Sequence, residues 1–267
     1  MKLLTQGDDF GFTRGVTLGI IDSIDKGILR NTGMFTNMPS SEFAASFIKD
    51  RPQACFGIDF NIVSGKPVAD PKLIPHLVDE NGEFIRSGVR TRNPEYQSEE
   101  GRRKMYPADE CYIEMKAQYD RFLELVGKKP GYLHAHSIMP EPYLETILKL
   151  SEETGIPFSM KIMKDMELGQ IPLQMGAKVF DPVAQLNKDT IHQVLDNQKY
   201  LLDKEVSCYI CHPGYVDAEL LGLTTLSLER AKDAQMYMSE EIKKWVEDNN
   251  VELITYYDLY KIKENRE

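Results

Sequence analysis

Short apolar runs alternate with longer amphipathic stretches along the whole chain. Residues 2–5 (KLLT) form the first apolar run and predict a strand that ends at an aspartate pair. Residues 14–26 then place Val16, Ile20, Ile21 and Ile24 at helical spacing, with Gly27 suited to the helix end. The alternation continues. Strands are predicted over 31–36, 54–62, 131–136, 156–160, 177–180, 206–211 and 251–255. Helices are predicted over 40–50, 109–126, 141–154, 188–203, 228–249 and 256–263. Residues 64–108 break the pattern. They are rich in Pro, Gly, Asn, Glu and Arg, show little periodicity, and predict a lid-like excursion over a site.

Strand-then-helix repetition of this kind predicts an α/β chain whose parallel strands are joined by right-handed crossovers. With no composition break, the expectation is a single TIM-like (β/α) barrel over 1–267, with about seven units. No G-x-G-x-x-G follows the first strand, so a dinucleotide site is unsupported.

Composition narrows the partners. The 267 residues are 42% apolar and 28% charged, with a net charge of −10, as in an ordinary globular protein. The only basic block is Arg102-Arg103-Lys104, so nucleic acid is not the expected partner. The opening MKLLTQGDD is too short in apolar residues for a signal peptide, and no run is long enough to span a bilayer. The expectation is a cytoplasmic protein without a membrane partner. Cys208 and Cys211 have redox or zinc spacing, but they lie in VSCYIC, a predicted strand on which residues three apart face opposite sides. They are read as core cysteines.

Parallel α/β sheets carry their sites at the carboxyl ends of strands. Asp8 and Asp9 end the first strand, Asp59 and Asn61 share a face of the third, and His134 and His136 share a face of the fourth. Strand 206–211 runs into His212-Pro213-Gly214-Tyr215. Each has a bland reading: either Asp of the pair caps the next helix, His134 or His136 is a bonded core histidine, and Tyr215 packs. His76 and His192 are read as structural or surface residues. An unpaired carboxylate at Asp59, in an apolar strand, would be costly. Together, three of five histidines and three aspartates gather at one end of the sheet. A divalent cation there would relieve the repulsion within the Asp pair, one carboxylate ligating and the other serving as general base. Oxygen ligands with one imidazole suit Zn²⁺, Mg²⁺ or Mn²⁺. His212 would protonate a leaving group or hold an oxyanion.

These elements resemble the YdjC-like carbohydrate deacetylases, which include chitooligosaccharide deacetylases. GDDFGFTRGVTLGI is similar to the family's ADDFG-x-x-x-G-V-x-x-G-I. FGIDFNIVSGKPV resembles G-L-H-L-x-L-T-x-G-x-P, and LVDENGEF the stretch after it. KKPGYLHAHSIMP stands in the place of K-P-T-H-L-D-S-H-H-H-x-H, and CHPGYVD matches C-H-P-G-Y. The resemblance implies a metal-dependent β/α-barrel hydrolase that removes acetyl groups from N-acetylated sugars. It assigns Asp8 as general base, Asp9 and His136 as metal ligands, and His212 as a catalytic residue. Two departures stand out. Asp59 replaces a histidine ligand, and His134, Ser137 and Ile138 thin the histidine motif. Asp59 as third ligand makes the site harder and favours Mg²⁺, with Mn²⁺ or Zn²⁺ as alternatives. Asn61, His134, Tyr215 and Arg103 are the expected substrate contacts. Arg92, Arg102 and Arg103 either meet a phosphate on the sugar or belong to a solvated polar loop. The resemblance also implies a homodimer. The competing readings are a sugar-binding protein without catalysis, and another metal hydrolase such as an esterase or phosphoesterase.

Overall fold

The computed structural model describes residues 1–172 and 180–265. Among the described residues six parallel strands form one sheet: β1 (Lys2–Phe10), β2 (Asn31–Met34), β3 (Cys55–Phe60), β4 (Leu133–Ala135), β5 (Val206–Cys211) and β6 (Glu252–Ile254). Their order is β4-β3-β2-β1-β5, with β6 also on β1. The described strands make a parallel half-barrel. The closed seven-unit barrel expected from the sequence is not shown. Single parallel bridges from Phe158 to Leu133 and from Gly169 to Ser207 flank the two outer strands.

β1 is the central strand. β6 pairs with its residues 2–4 and β2 with its residues 6–10. Asn31 joins these two partners. Its Nδ2 donates to the carbonyls of Thr5 and Ile254 at 2.9 and 3.1 Å, and its Oδ1 accepts from Tyr256 N at 2.9 Å. Buried apolar side chains line both sides of the sheet, as a parallel sheet covered by helices requires. Cys208 and Cys211 are free, buried, and sit in separate core clusters on opposite sides of β5.

β1 does not stop at the aspartate pair, as the sequence pattern suggested, but continues to Phe10. Between Gly7 and Phe10 it takes three steps while β2 takes two from Thr32 to Met34, so one residue bulges. Asp9 sits in the bulge with φ +75°, a region most side chains avoid. Helix Arg14–Asp25 is capped by Thr13, whose hydroxyl accepts from Val16 N. The aspartate pair is therefore not spent on a helix cap.

Residues 64–108 carry two 3₁₀ turns and the helices Ser87–Arg92 and Glu99–Met105. Two buried carboxylates one turn apart dock this excursion on helix Ala108–Val126. Glu114 accepts from Val68 N and Ala69 N at 3.0 and 2.9 Å, and Glu110 accepts from His76 N at 2.9 Å. Among the described residues, no helix is long and apolar enough to cross a membrane.

Candidate active site

The ends of β1, β3, β4 and β5 deliver the predicted residues, and the register explains how. Asp59 of β3 pairs directly with His134 of β4. On its other side lies β2, where a Cβ at Gly33 would fall 1.7 Å from Asp59 Oδ1. The missing side chain lets the Asp59 carboxylate cross β2 and reach β1, where Oδ2 accepts from Asp9 N at 2.9 Å. Gly7 serves β1 similarly, since its Cβ would meet Pro213 at 2.7 Å. The His212 loop can therefore lie close against β1.

Two groups emerge. In the first, Asp8, Asp59 and His134 are buried, and their ligand atoms all lie within 4.8 Å of one another. Asp8 Oδ2 is 3.6 Å from His134 Nε2, too far for a good hydrogen bond. Asp8 Oδ1 accepts from Gln6 Nε2 at 2.6 Å, while Gln6 Oε1 accepts from Tyr256 hydroxyl at 2.5 Å. His134 Nδ1 is 2.6 Å from Ser159 Oγ, which leaves Nε2 for the cluster. Asp59 Oδ1 is buried without a hydrogen-bond partner. Burial, then the charge of Asp8, pushes the Asp59 carboxyl well above the usual range. His134 is opposed by burial but raised to about 9 by Asp8 and Asp59. An orphaned buried oxygen among two carboxylates and an imidazole fits a divalent cation: these are the donors such ions take, and the excess of negative charge is what a cation removes.

In the second group the charge is already balanced. Asp9 Oδ2 accepts from Arg230 Nη2 at 2.5 Å, and Asp9 Oδ1 lies 2.9 Å from His136 Nδ1. That second contact is close but not aligned as a hydrogen bond. Burial opposes ionisation of Asp9, yet His136 and Arg230 hold its carboxyl well below the usual range. His136 is fixed by its main-chain N–H on Tyr143 hydroxyl and by a T-shaped contact with Phe35, 4.7 Å between ring centres. The expected ligands Asp9 and His136 thus face one another, while the expected base Asp8 faces Asp59 and His134.

His212 follows β5 and is half-buried, with its main-chain N–H on Asp233 Oδ2 at 3.1 Å. The other expected substrate contacts are engaged elsewhere. Asn61 turns β3 into the excursion, binding Asn37, Ser64 and Val63. Tyr215 hydroxyl donates to Asp22. Arg103 is exposed and bound to Glu99 and Glu145, and Arg102 is bound to Glu141. A groove of about 760 Å³ opens where the chain leaves β2 and β3. Its walls include Asn37, Met38, Lys66, Phe84, Arg86 and Glu219.

Sequence reasoning predicted a helix over 228–249 but missed the residues that its first half, Glu229–Met238, brings to the site. Arg230, Asp233 and Tyr237 occupy one face of it at positions i, i+3 and i+7. They reach Asp9, the His212 N–H and the Gln6 carbonyl respectively. The available signal was an arginine and an aspartate on the stripe that also holds Ala234 and Tyr237, where a helix normally faces its core.

Residues 2–248 match the family model described as YdjC-like protein. Carbohydrate deacetylase 2 of Listeria innocua serovar 6a is 34% identical, over 98% of this chain and 100% of that protein. The carbohydrate deacetylase of Geobacillus stearothermophilus is 27% identical, over 97% of this chain and 98% of that protein. Among solved structures, a protein from Enterococcus faecalis V583 assigned to cellobiose-phosphate cleavage superposes with a TM-score of 0.77 at 22% identity. The match covers 97% of this chain and 98% of that one. A family 4 acetyl xylan esterase from Clostridium thermocellum, solved with a cobalt ion, shares the fold more distantly, with a TM-score of 0.50 at 9% identity over 98% and 92% of the two chains. Matched over nearly its whole length by the family model, the chain belongs to the YdjC-like family.

Proposed function

We propose that this protein is a divalent-metal-dependent deacetylase of N-acetylated sugars. The observation that carries the reading is the buried Asp8, Asp59 and His134 cluster with its orphaned oxygen, set beside an Asp9 anchored by Arg230. The names of its full-length relatives, carbohydrate deacetylases, give the substrate class. Asp8, Asp59 and His134 would hold the cation, with Mg²⁺ favoured by two carboxylates and one imidazole. When bound, the cation would supply positive charge to the acetamide carbonyl and acidify water.

The chain's own groups divide the remaining work. Arg230 keeps Asp9 ionised, and Asp9 draws Nδ1 of His136, so Nε2 of His136 is the nitrogen left to take a proton from attacking water. His212, at the neighbouring strand end, gives a proton to the departing amine. The groove by β2 and β3, whose walls carry Lys66, Arg86, Glu83 and Glu219 but none of the residues of the two groups, would seat the part of the sugar away from the acetamide. The resemblance of the aspartate pair to the family's motif supports a second division of roles: Asp8 as base, with Asp9, Asp59 and His136 on the cation.

The test is acetate release by protein stripped of metal and resupplied with Mg²⁺, Mn²⁺ or Zn²⁺. The substrates are free and phosphorylated N-acetylated sugars beside O-acetylated ones. Release from N-acetylated sugars that depends on the cation supports the reading. Release from O-acetylated sugars alone replaces it with an esterase, and sugar binding without release replaces it with a binding protein.

A further inference from the structure

Asp233 is 1% exposed, and its carboxylate is not part of either group described above. Oδ1 accepts from Thr190 Oγ1 and lies 2.9 Å from Lys188 Nζ, while Oδ2 accepts from His212 N. A carboxylate this deeply buried needs a counter-charge nearby. Arg230, one turn away on the same helix, is taken by Asp9. Lys188 fills the need, bridging Asp233 and Glu229 at 2.9 and 3.0 Å.

The loop that carries His212 depends on this carboxylate. β5 ends at Cys211, and Pro213 has no N–H to donate. The two main-chain donors that remain before Tyr215 both go to helix Glu229–Met238: His212 N to Asp233 and Gly214 N to the Arg230 carbonyl at 3.1 Å. The second is main chain to main chain and survives any side-chain change. The first exists only while the Asp233 side chain holds its place, and a charged carboxylate holds it only beside its counter-charge.

We propose that Lys188 is a positioning residue for His212, acting through Asp233. Lys188 lies between helices Pro182–Leu186 and Thr190–Asp196, so a residue outside the strand ends sets the geometry of a residue at one of them. The inference rests on the reading that His212 takes part in deacetylation.

The test uses the full-length, metal-loaded protein and Lys188→Met, which removes the charge and keeps the length. The expected result is a fall in kcat of about tenfold or more, with KM and bound metal unchanged, as for loss of an interaction felt in the transition state. Lys188→Arg should restore most of the rate. Lys188→Met combined with Asp233→Asn should lose less than Lys188→Met alone, because the neutral amide needs no counter-charge and still accepts from His212 N. A second readout does not depend on turnover. The His212 main-chain amide should move upfield in the ¹H–¹⁵N spectrum of Lys188→Met and exchange faster with solvent. An unmoved amide overturns the proposal. So does a moved amide with unchanged kcat in an active enzyme. If the wild type releases no acetate, the deacetylase reading fails, and the amide alone decides whether Lys188 holds His212.

Discussion

Two adjacent carboxylates on a regular strand would point to opposite faces. The bulge at Asp9 lets both serve one region while giving them different partners: Asp8 meets Asp59 and His134, and Asp9 meets Arg230 and His136. The two divisions of labour proposed above differ at these residues. On the geometric division, Asp8→Asn loses bound metal, with affinity down at least about tenfold, and loses turnover with it. Asp9→Asn keeps its metal and loses turnover by mispositioning His136. On the other division the metal contents are reversed. Metal content of the two purified variants, measured by elemental analysis against wild type, separates them. A full complement of metal in Asp8→Asn would sink the geometric division. Much of this site was legible in the sequence because strand ends collect chemistry. Asp8, Asp9, Asp59, His134, His136 and His212 were all found that way. Which of them pair was not legible, since one bulged residue reassigns every contact. Arg230 lies 221 residues from Asp9 along the chain.

At the scale of elements, boundaries were readable where a local signal fixed them. Helix Glu141–Thr154 and strand β5 lie where the pattern put them, the helix closed by Gly155 in the left-handed conformation. The long helices expected over 188–203 and 228–249 each divide in two. Ser239 caps helix Glu240–Asp248 through Ile242 N, a signal that competed with an unbroken apolar stripe. Residues 156–160 were expected as a strand. They give one bridge at Phe158 and then enter helix Ser159–Asp165, because that edge lacks a continuous partner. The strand expected over 177–180 falls on residues 177–179, outside those described. The junction of β2 and β6 on β1 was invisible, because it hangs on Asn31, a polar residue inside a strand. Asn31→Ala removes three buried hydrogen bonds and leaves Thr5 O, Ile254 O and Tyr256 N short of partners. The expected cost is about 3 kcal/mol, read as a lower urea midpoint at unchanged m-value. A loss below about 1 kcal/mol would mean that other groups satisfy these atoms and that Asn31 does not join the strands.

Over the whole molecule the charge balance is −10, and three of its carboxylates, Asp8, Asp9 and Asp59, lie in the buried interior of the site. Arg230 and His136 offset Asp9, while Asp8 and Asp59 share His134. Folding without a cation must therefore either hold two like charges together out of water or keep Asp59 protonated, the direction in which burial and Asp8 push its carboxyl, and the ordinary apolar core has to offset that cost. A cation that binds only the folded chain reverses the sign. At about 100 times its dissociation constant it adds about 2.7 kcal/mol to stability. For a chain of this size that is a rise of about 5–10 °C in melting temperature. Chelation should remove the rise, and Mg²⁺, Mn²⁺ and Zn²⁺ should restore it in order of their affinity. Asp59→Asn separates this effect from nonspecific salt. The new side chain can still accept from Asp9 N while its amide donates to Asp8, so the metal-free variant should melt above the metal-free wild type. The same variant should respond little to added cation. Differential scanning calorimetry of both proteins with and without metal reads all four states. If metal-free Asp59→Asn melted below wild type and still gained several degrees from the cation, the buried pair would not be the place where the charge is missing.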